Sequence, residues 1–170
     1  HLLAAGGKRI RPTLVLLMAR LLGTDPEKAI ILGAAVELLH TATLVHDDLI
    51  DGALLRRGNP TLNSRWSSAA TVLTGDFLFA RAAKLASELD SPVALRLFSN
   101  TLATIVNGEI TQLFASRGRA SREDYYRRIY AKTASLFETA AFTTAMIGPA
   151  NSATREDAKQ YAYLIGMAFL

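Results

Sequence analysis

Apolar residues recur three and four positions apart along almost the whole chain, in segments rich in Ala, Leu, Ile, Glu and Arg, and no segment shows the sustained alternation of a half-buried strand. That pattern predicts an all-α fold. Pro12 stands at a first helical position for a helix running to about Leu22, which Gly23 stops. After Asp25, with Pro26 in the first turn, EKAIILGAAVELLHTATLVHDDLID predicts one long helix to about Asp51, a rod of roughly 36 Å. It is apolar almost all round, as expected of the central helix of a bundle. Two glycines, Asn59 and Pro60 mark GALLRRGNPTLN as a loop. Further helices are expected at about 67–89, 92–114, 122–132, 134–147 and from 154 to the end, with Lys132 and Thr133 at a helix junction. There is no internal repeat and no low-complexity linker, so 1–170 reads as a single domain.

Half of the 170 residues are apolar, enough for one domain with a sizeable core. The net charge of +4 comes from Arg and Lys interleaved with acids rather than gathered in a run. Anionic small molecules suit that distribution, and nucleic acid is not expected as a partner. The absence of cysteine excludes disulfides, thiolate metal sites and cysteine nucleophiles, and goes with a reducing cytoplasm. Charged or polar residues interrupt every oily segment before the ~18 residues of a membrane span, so no transmembrane segment is expected. The opening HLLAAGGKRIRP lacks the h-region and cleavage site of a signal peptide.

The chemistry concentrates in LLHTATLVHDDLIDGALLRRG, residues 38–58. Asp47 and Asp51 lie four apart, hence on one helix face about 6 Å from each other, with Asp48 on the flank. Such a row is a hard-oxygen site for Mg²⁺, which takes one or two carboxylates, keeps waters and completes its shell with phosphate oxygens. These acids sit near a helix C-terminus, where the dipole disfavours negative charge, which points to a bound cation. His40, seven residues earlier, shares their face. Arg56 and Arg57 offer planar forks for phosphate. Lys8, Arg9 and Arg11 stand at a helix start beside glycines, another setting that favours anions. Glu109 and Gln112 share one face of an apolar helix. Each feature alone also has a plain reading: an acidic helix end, a core histidine, a solvated arginine pair, a basic helix start.

Together and in this order, GGKRIRP, ELLHTATLVHDDLID, RRG, VLTGDFLFARA, GEITQL and YAKTASLF resemble the trans-isoprenyl diphosphate synthases, most closely the bacterial long-chain polyprenyl members. The DDxxD pattern followed by RRG is the specific element. The resemblance implies an isoprenoid synthase helical bundle around a central cavity, and a Mg²⁺-dependent prenyltransferase that condenses isopentenyl diphosphate with an allylic diphosphate. It implies that Asp47, Asp48 and Asp51 hold Mg²⁺ against the allylic diphosphate, which Arg56, Lys132 and Thr133 also contact. Lys132 helps to stabilise developing charge, and Gln112 lies near the allylic diphosphate and its metals. Lys8, Arg11, His40 and Arg57 match the ligands of isopentenyl diphosphate. Bulky aromatics four and five residues before the motif close the product pocket early in this family. Thr43 and Ala42 stand there, so an all-trans product of geranylgeranyl length or longer is expected, each added unit burying apolar surface at about 25 cal/mol per Å². A homodimer is implied as well.

The family's second aspartate-rich motif, introduced by a GxAFQ-like stretch, is absent from these residues: GMAF, 166–169, is followed by Leu170 where Gln is expected. The expected bundle is therefore incomplete at its C-terminus, and these residues alone are not expected to turn over. A terpene cyclase would share the aspartates but has no use for the isopentenyl diphosphate cluster. A non-catalytic subunit would usually have lost the aspartates.

Overall fold

The computed structural model describes residues 7–114 and 121–169, and they form a helical bundle. Helix α1 (Ile10–Leu22) starts two residues ahead of Pro12, behind Arg9 in a left-handed backbone conformation. Helix α2 (Pro26–Ile50) is the long rod, opened by the Asp25 carboxylate accepting from the Glu27 N–H at 2.9 Å. Helix α3 (Ser68–Ser87) is capped by Ser67, and α4 (Pro92–Phe114) runs over the expected span. Helix α5 (Arg122–Ile129) opens with a capping box between Ser121 and Asp124. After it come α6 (Ser135–Met146) and α7 (Ser152–Ala168), the latter capped by Asn151. Residues 1–6 of the opening stretch and Leu170 lie outside the described residues.

Two departures from the expected elements matter for the site. The segment after α2 is not a plain loop: β1 (Leu55–Arg56) pairs antiparallel with β2 (Asn59–Pro60). Arg57 and Gly58 form the turn with φ of 52° and 78°, the doubly positive pair that tight hairpins require. Four paired residues are too few for a hydrophobic alternation to announce. The expected break at Lys132 is instead a π-helical turn, Tyr130–Ala134, that joins α5 to α6 without interruption. Such an insertion re-aims side chains inside a continuous rod and recurs at functional sites.

Helix α2 packs against α1, α3 and α6, as its all-round apolar character implies. Val15, Leu32, Val36, Leu39, Leu89, Phe98 and Leu136 form the main core, and a smaller alanine-rich cluster lies beneath α7. The helices approach closely where side chains vanish: a Cβ at Gly75 of α3 would overlap the His46 ring of α2. One expectation needs correcting. Pro26–Ile50 is long and apolar enough, by length and composition, to cross a membrane, with a mean hydropathy of 1.6 over its best window. The reason is that Glu37 is the only Asp, Glu, Lys or Arg between Ala29 and Val45. In this fold 44% of that window is buried, where α2 packs against α1, α3 and α6.

Candidate functional site

The start of α1, the last turns of α2, the β-hairpin, the π-helical turn and the end of α7 surround a cavity of about 760 Å³. Lys8, Arg11, His40, Asp48, Arg56, Arg57 and Thr133 line it, with Leu44, Val45, Leu62 and Phe169 as oily wall. Residues scattered over most of the sequence thus meet at one place. Arg11 is the most buried of the basic residues, 9% exposed. Burial pulls its guanidinium down to about 10, with Glu37 opposing, so it stays cationic at neutral pH. Its Nε has no hydrogen-bond partner among the described residues, and the guanidinium lies over the Phe137 ring at 4.8 Å. His40 is pushed down to about 3, first by burial and then by Arg11, Arg57 and Arg56, which leaves a neutral imidazole among cations. Of these cations Arg11 is buried, whereas Arg56 is half-buried and Lys8 and Arg57 are exposed, and burying the Arg11 charge is unfavourable unless an anion compensates it.

Of the three aspartates Asp48 lines the cavity, while Asp47 and Asp51, like Lys132, lie outside its lining. Asp47 and Asp48 are both buried, and each meets a protein cation. Lys132 Nζ is 3.2 Å from Asp47 Oδ2, and Arg56 donates to Asp48 at 2.7 and 2.8 Å. Asp51 caps the end of α2 and is exposed. Among the described residues no three carboxylate or imidazole side chains converge as a ready metal cage. The acidic crowding at this helix end is offset in part by Lys132 and Arg56. It is not removed: burial raises the Asp47 carboxyl above the usual range, Lys132 counters, and Glu109 and Asp51 raise it further. Asp47 and Asp48 are buried hard-oxygen donors of the kind that a cation such as Mg²⁺ takes one or two at a time beside phosphate oxygens, although both are paired with protein cations here.

Lys132 owes its place to the π-helical turn, and it is shared: Glu109 of α4 accepts from its ammonium at 3.1 Å. Burial works against the charge of Lys132, but hydrogen bonds and charges from Glu109 and Asp47 outweigh it and hold the ammonium above its ordinary value. Sequence reasoning left Glu109 without a role; its place three residues before Gln112 was the available signal. Gln112 itself is exposed and outside the cavity lining. Ala42 is fully buried, and the half-buried Thr43 donates to the His40 carbonyl at 2.7 Å. Neither lines this cavity. Glu37, paired with Arg9 at 2.6 Å, and Phe169 are wall residues that sequence reasoning did not assign.

The sequence matches the description Polyprenyl synthetase over residues 1–170. The chain belongs to the polyprenyl synthetase family. Among its relatives is an all-trans-nonaprenyl-diphosphate synthase (geranyl-diphosphate specific) from Rhodobacter capsulatus, 43% identical over 99% of this chain and 52% of the relative. The octaprenyl diphosphate synthase of Escherichia coli is 36% identical over 99% of this chain and 53% of its own length. A crystal structure of polyprenyl synthase from Caulobacter crescentus complexed with calcium and isoprenyl diphosphate superimposes with a TM-score of 0.93 at 43% identity, covering 98% of this chain and 51% of that one. The isoprenoid synthase bundle expected from the motifs is therefore the fold of this polyprenyl synthetase chain. The chain spans about half the length of these relatives.

Proposed function

We propose that the protein is a Mg²⁺-dependent trans-prenyltransferase that joins isopentenyl diphosphate to an allylic diphosphate, giving an all-trans polyprenyl diphosphate of geranylgeranyl length or longer. One observation carries the reading: Lys8, Arg11, His40, Arg56, Arg57 and Thr133 line a single cavity together with Asp48. Lys8, Arg11, His40 and Arg57 hold the diphosphate of isopentenyl diphosphate, His40 as a neutral hydrogen-bonding group and the others as cations. Arg56, Lys132 and Thr133 hold the allylic diphosphate, with Gln112 at its edge. Asp47, Asp48 and Asp51 hold Mg²⁺, which when bound supplies Lewis-acid neutralisation of the leaving diphosphate.

In the reaction the allylic C–O bond breaks, the double bond of isopentenyl diphosphate attacks the allylic cation to form a C–C bond, and a proton passes to the released diphosphate. Lys132 stabilises charge developing on the leaving group, the kind of electrostatic preorganisation that contributes most to such steps. Glu109 and Asp47 keep Lys132 charged for that task. Leu44, Val45 and Phe169 supply the apolar wall of the cavity in which the cation would form.

Incubating the full-length protein with radiolabelled isopentenyl diphosphate, an allylic primer and Mg²⁺ tests the reading. Chain elongation is the expected outcome. A cyclised hydrocarbon would mean a cyclase, and no incorporation a non-catalytic subunit. Asp47→Asn and Asp48→Asn should each lower kcat by about 10²–10³, the scale seen when a group stabilising transition-state charge is removed.

A homodimer and a cytoplasmic setting complete the proposal. Leu73 and Phe77 of α3 and Ile110 and Leu113 of α4 are 67%, 62%, 49% and 63% exposed, an apolar surface suited to a second copy. A relative from Geobacillus stearothermophilus, 41% identical over 99% of this chain and 53% of its own length, is named heptaprenyl diphosphate synthase component 2. A different protein as partner is therefore the second reading for that surface.

A further inference from the structure

Arg11 raises a question that the proposed reaction leaves open: what orients a buried guanidinium whose Nε has no hydrogen-bond partner among the described residues? The group facing it is a ring. Arg11 Cζ lies 4.8 Å from the centroid of Phe137, whose side chain is fully buried in the first turn of α6. Phe137 stands one helical turn after Thr133, on the same face. Its ring also meets that of Phe169, with centroids 5.3 Å apart and planes inclined by 44°. Thr133 and Phe169 both line the cavity, whereas Phe137 sits behind them. Gly166 makes the arrangement possible, since a Cβ there would come within 3.1 Å of the Phe137 Cβ and 2.6 Å of the Ala134 Cα. Helix α7 is thereby pressed onto the π-helical turn and α6, with Phe169 brought onto Phe137.

We propose that Phe137 is a positioning residue, a buried aromatic platform that orients the Arg11 guanidinium toward the diphosphate of isopentenyl diphosphate and holds Phe169 beside it. The inference rests on the reading of this cavity as a diphosphate site. A ring face attracts the guanidinium through its quadrupole and replaces part of its lost hydration. A carboxylate in the same place would neutralise the charge that the anion needs. The ring also restricts a long side chain before the ligand arrives, so less freedom is lost on binding. Sequence reasoning had no access to this pairing, because Arg11 and Phe137 lie 126 positions apart and a phenylalanine in an apolar helix reads as core.

The test is calorimetric titration of isopentenyl diphosphate into full-length protein in EDTA, together with steady-state kinetics in Mg²⁺. Phe137→Met and Phe137→Leu fill the space without a ring, Met adapting best to the gap. Both should weaken binding about tenfold, equal to ~1.4 kcal/mol. KM for isopentenyl diphosphate should rise by the same factor, with KM for the allylic substrate unchanged within twofold. Leu136→Val removes a methylene from the neighbouring core residue and should lower Tm while leaving affinity within twofold. Arg11→Lys should lose affinity comparably, and adding Phe137→Met to it should cost little more. Binding by F137M equal to wild type overturns the platform, as does L136V weakening affinity as much as F137M. If F137L fails to fold, F137M and the non-additivity with R11K decide. Wild-type protein that takes up no isopentenyl diphosphate overturns the site reading as well, which separates the two failures.

Discussion

His40 illustrates how one residue can be chemically defined by its neighbours. Burial and the surrounding arginines push its imidazole down to about 3, so the folded protein keeps it neutral while the unfolded chain protonates it near 6.5. Between those values the unfolded state binds more protons, so this site contributes stability above about pH 6.5 that is lost as pH falls toward 3. Urea unfolding at pH 7 and pH 5 should show a loss of about 1–2 kcal/mol from this site. His40→Gln should flatten that part of the profile, and an unchanged pH dependence would contradict the buried neutral imidazole. Residues 42 and 43 divide in a way their spacing alone did not reveal. Ala42 is fully buried, so Ala42→Phe should cost about 1–3 kcal/mol by overpacking. Thr43, half-buried, is the better probe of product length. Thr43→Phe should shorten the product on chromatography, and the same product from this variant would refute the chain-length role.

At the scale of elements, the contact between α2 and α3 is set by Gly75 lying against the His46 ring. That ring is fixed by a hydrogen-bond contact of 3.1 Å to the Val72 carbonyl and by the tilted ring of Phe79. Gly75→Ala would gain about 0.8–1 kcal/mol of helix propensity, yet the overlap works against it by about 1–3 kcal/mol or more. The clash should win. Adding His46→Ala should restore part of the loss, a coupling that a double-mutant cycle in urea would measure. This contact matters to the site because His46 immediately precedes Asp47 and Asp48, so α3 helps to set the end of α2. The π-helical turn has the corresponding role on the opposite wall, presenting Lys132 to Asp47 and Glu109 while Thr133 enters the cavity.

For the whole molecule, the exposed apolar side chains of α3 and α4 are the surface offered for the proposed dimer. Phe77→Glu or Leu73→Glu should convert a dimer to a monomer in light scattering at micromolar concentration, with helical content by circular dichroism unchanged. Wild type that is already monomeric would favour a different partner protein over a second copy. The smaller alanine-rich cluster of Ala141, Ala145, Ala158 and Ala162 shows the complementary strategy, small residues letting α6 and α7 pack closely.

Much of this protein was legible without coordinates. Periodicity of 3.6 over long segments reports which faces are buried, so the helices, the stop at Gly23, the start after Asp25 and the central place of α2 follow from local pattern. Residue types at fixed spacing, Asp47 through Asp51 followed by Arg56 and Arg57, likewise carried the resemblance to the family that the chain belongs to. What required the tertiary structure was every property that depends on partners distant in sequence: Lys132 shared between Asp47 and Glu109, Arg56 folded back on Asp48, and Arg11 over Phe137. The π-helical turn and the two-residue strands also escaped, being too short for any periodicity to build up. Local sequence sets which surfaces are oily and which groups are charged, whereas charge pairing and desolvation are decided only when the folded chain brings those groups together.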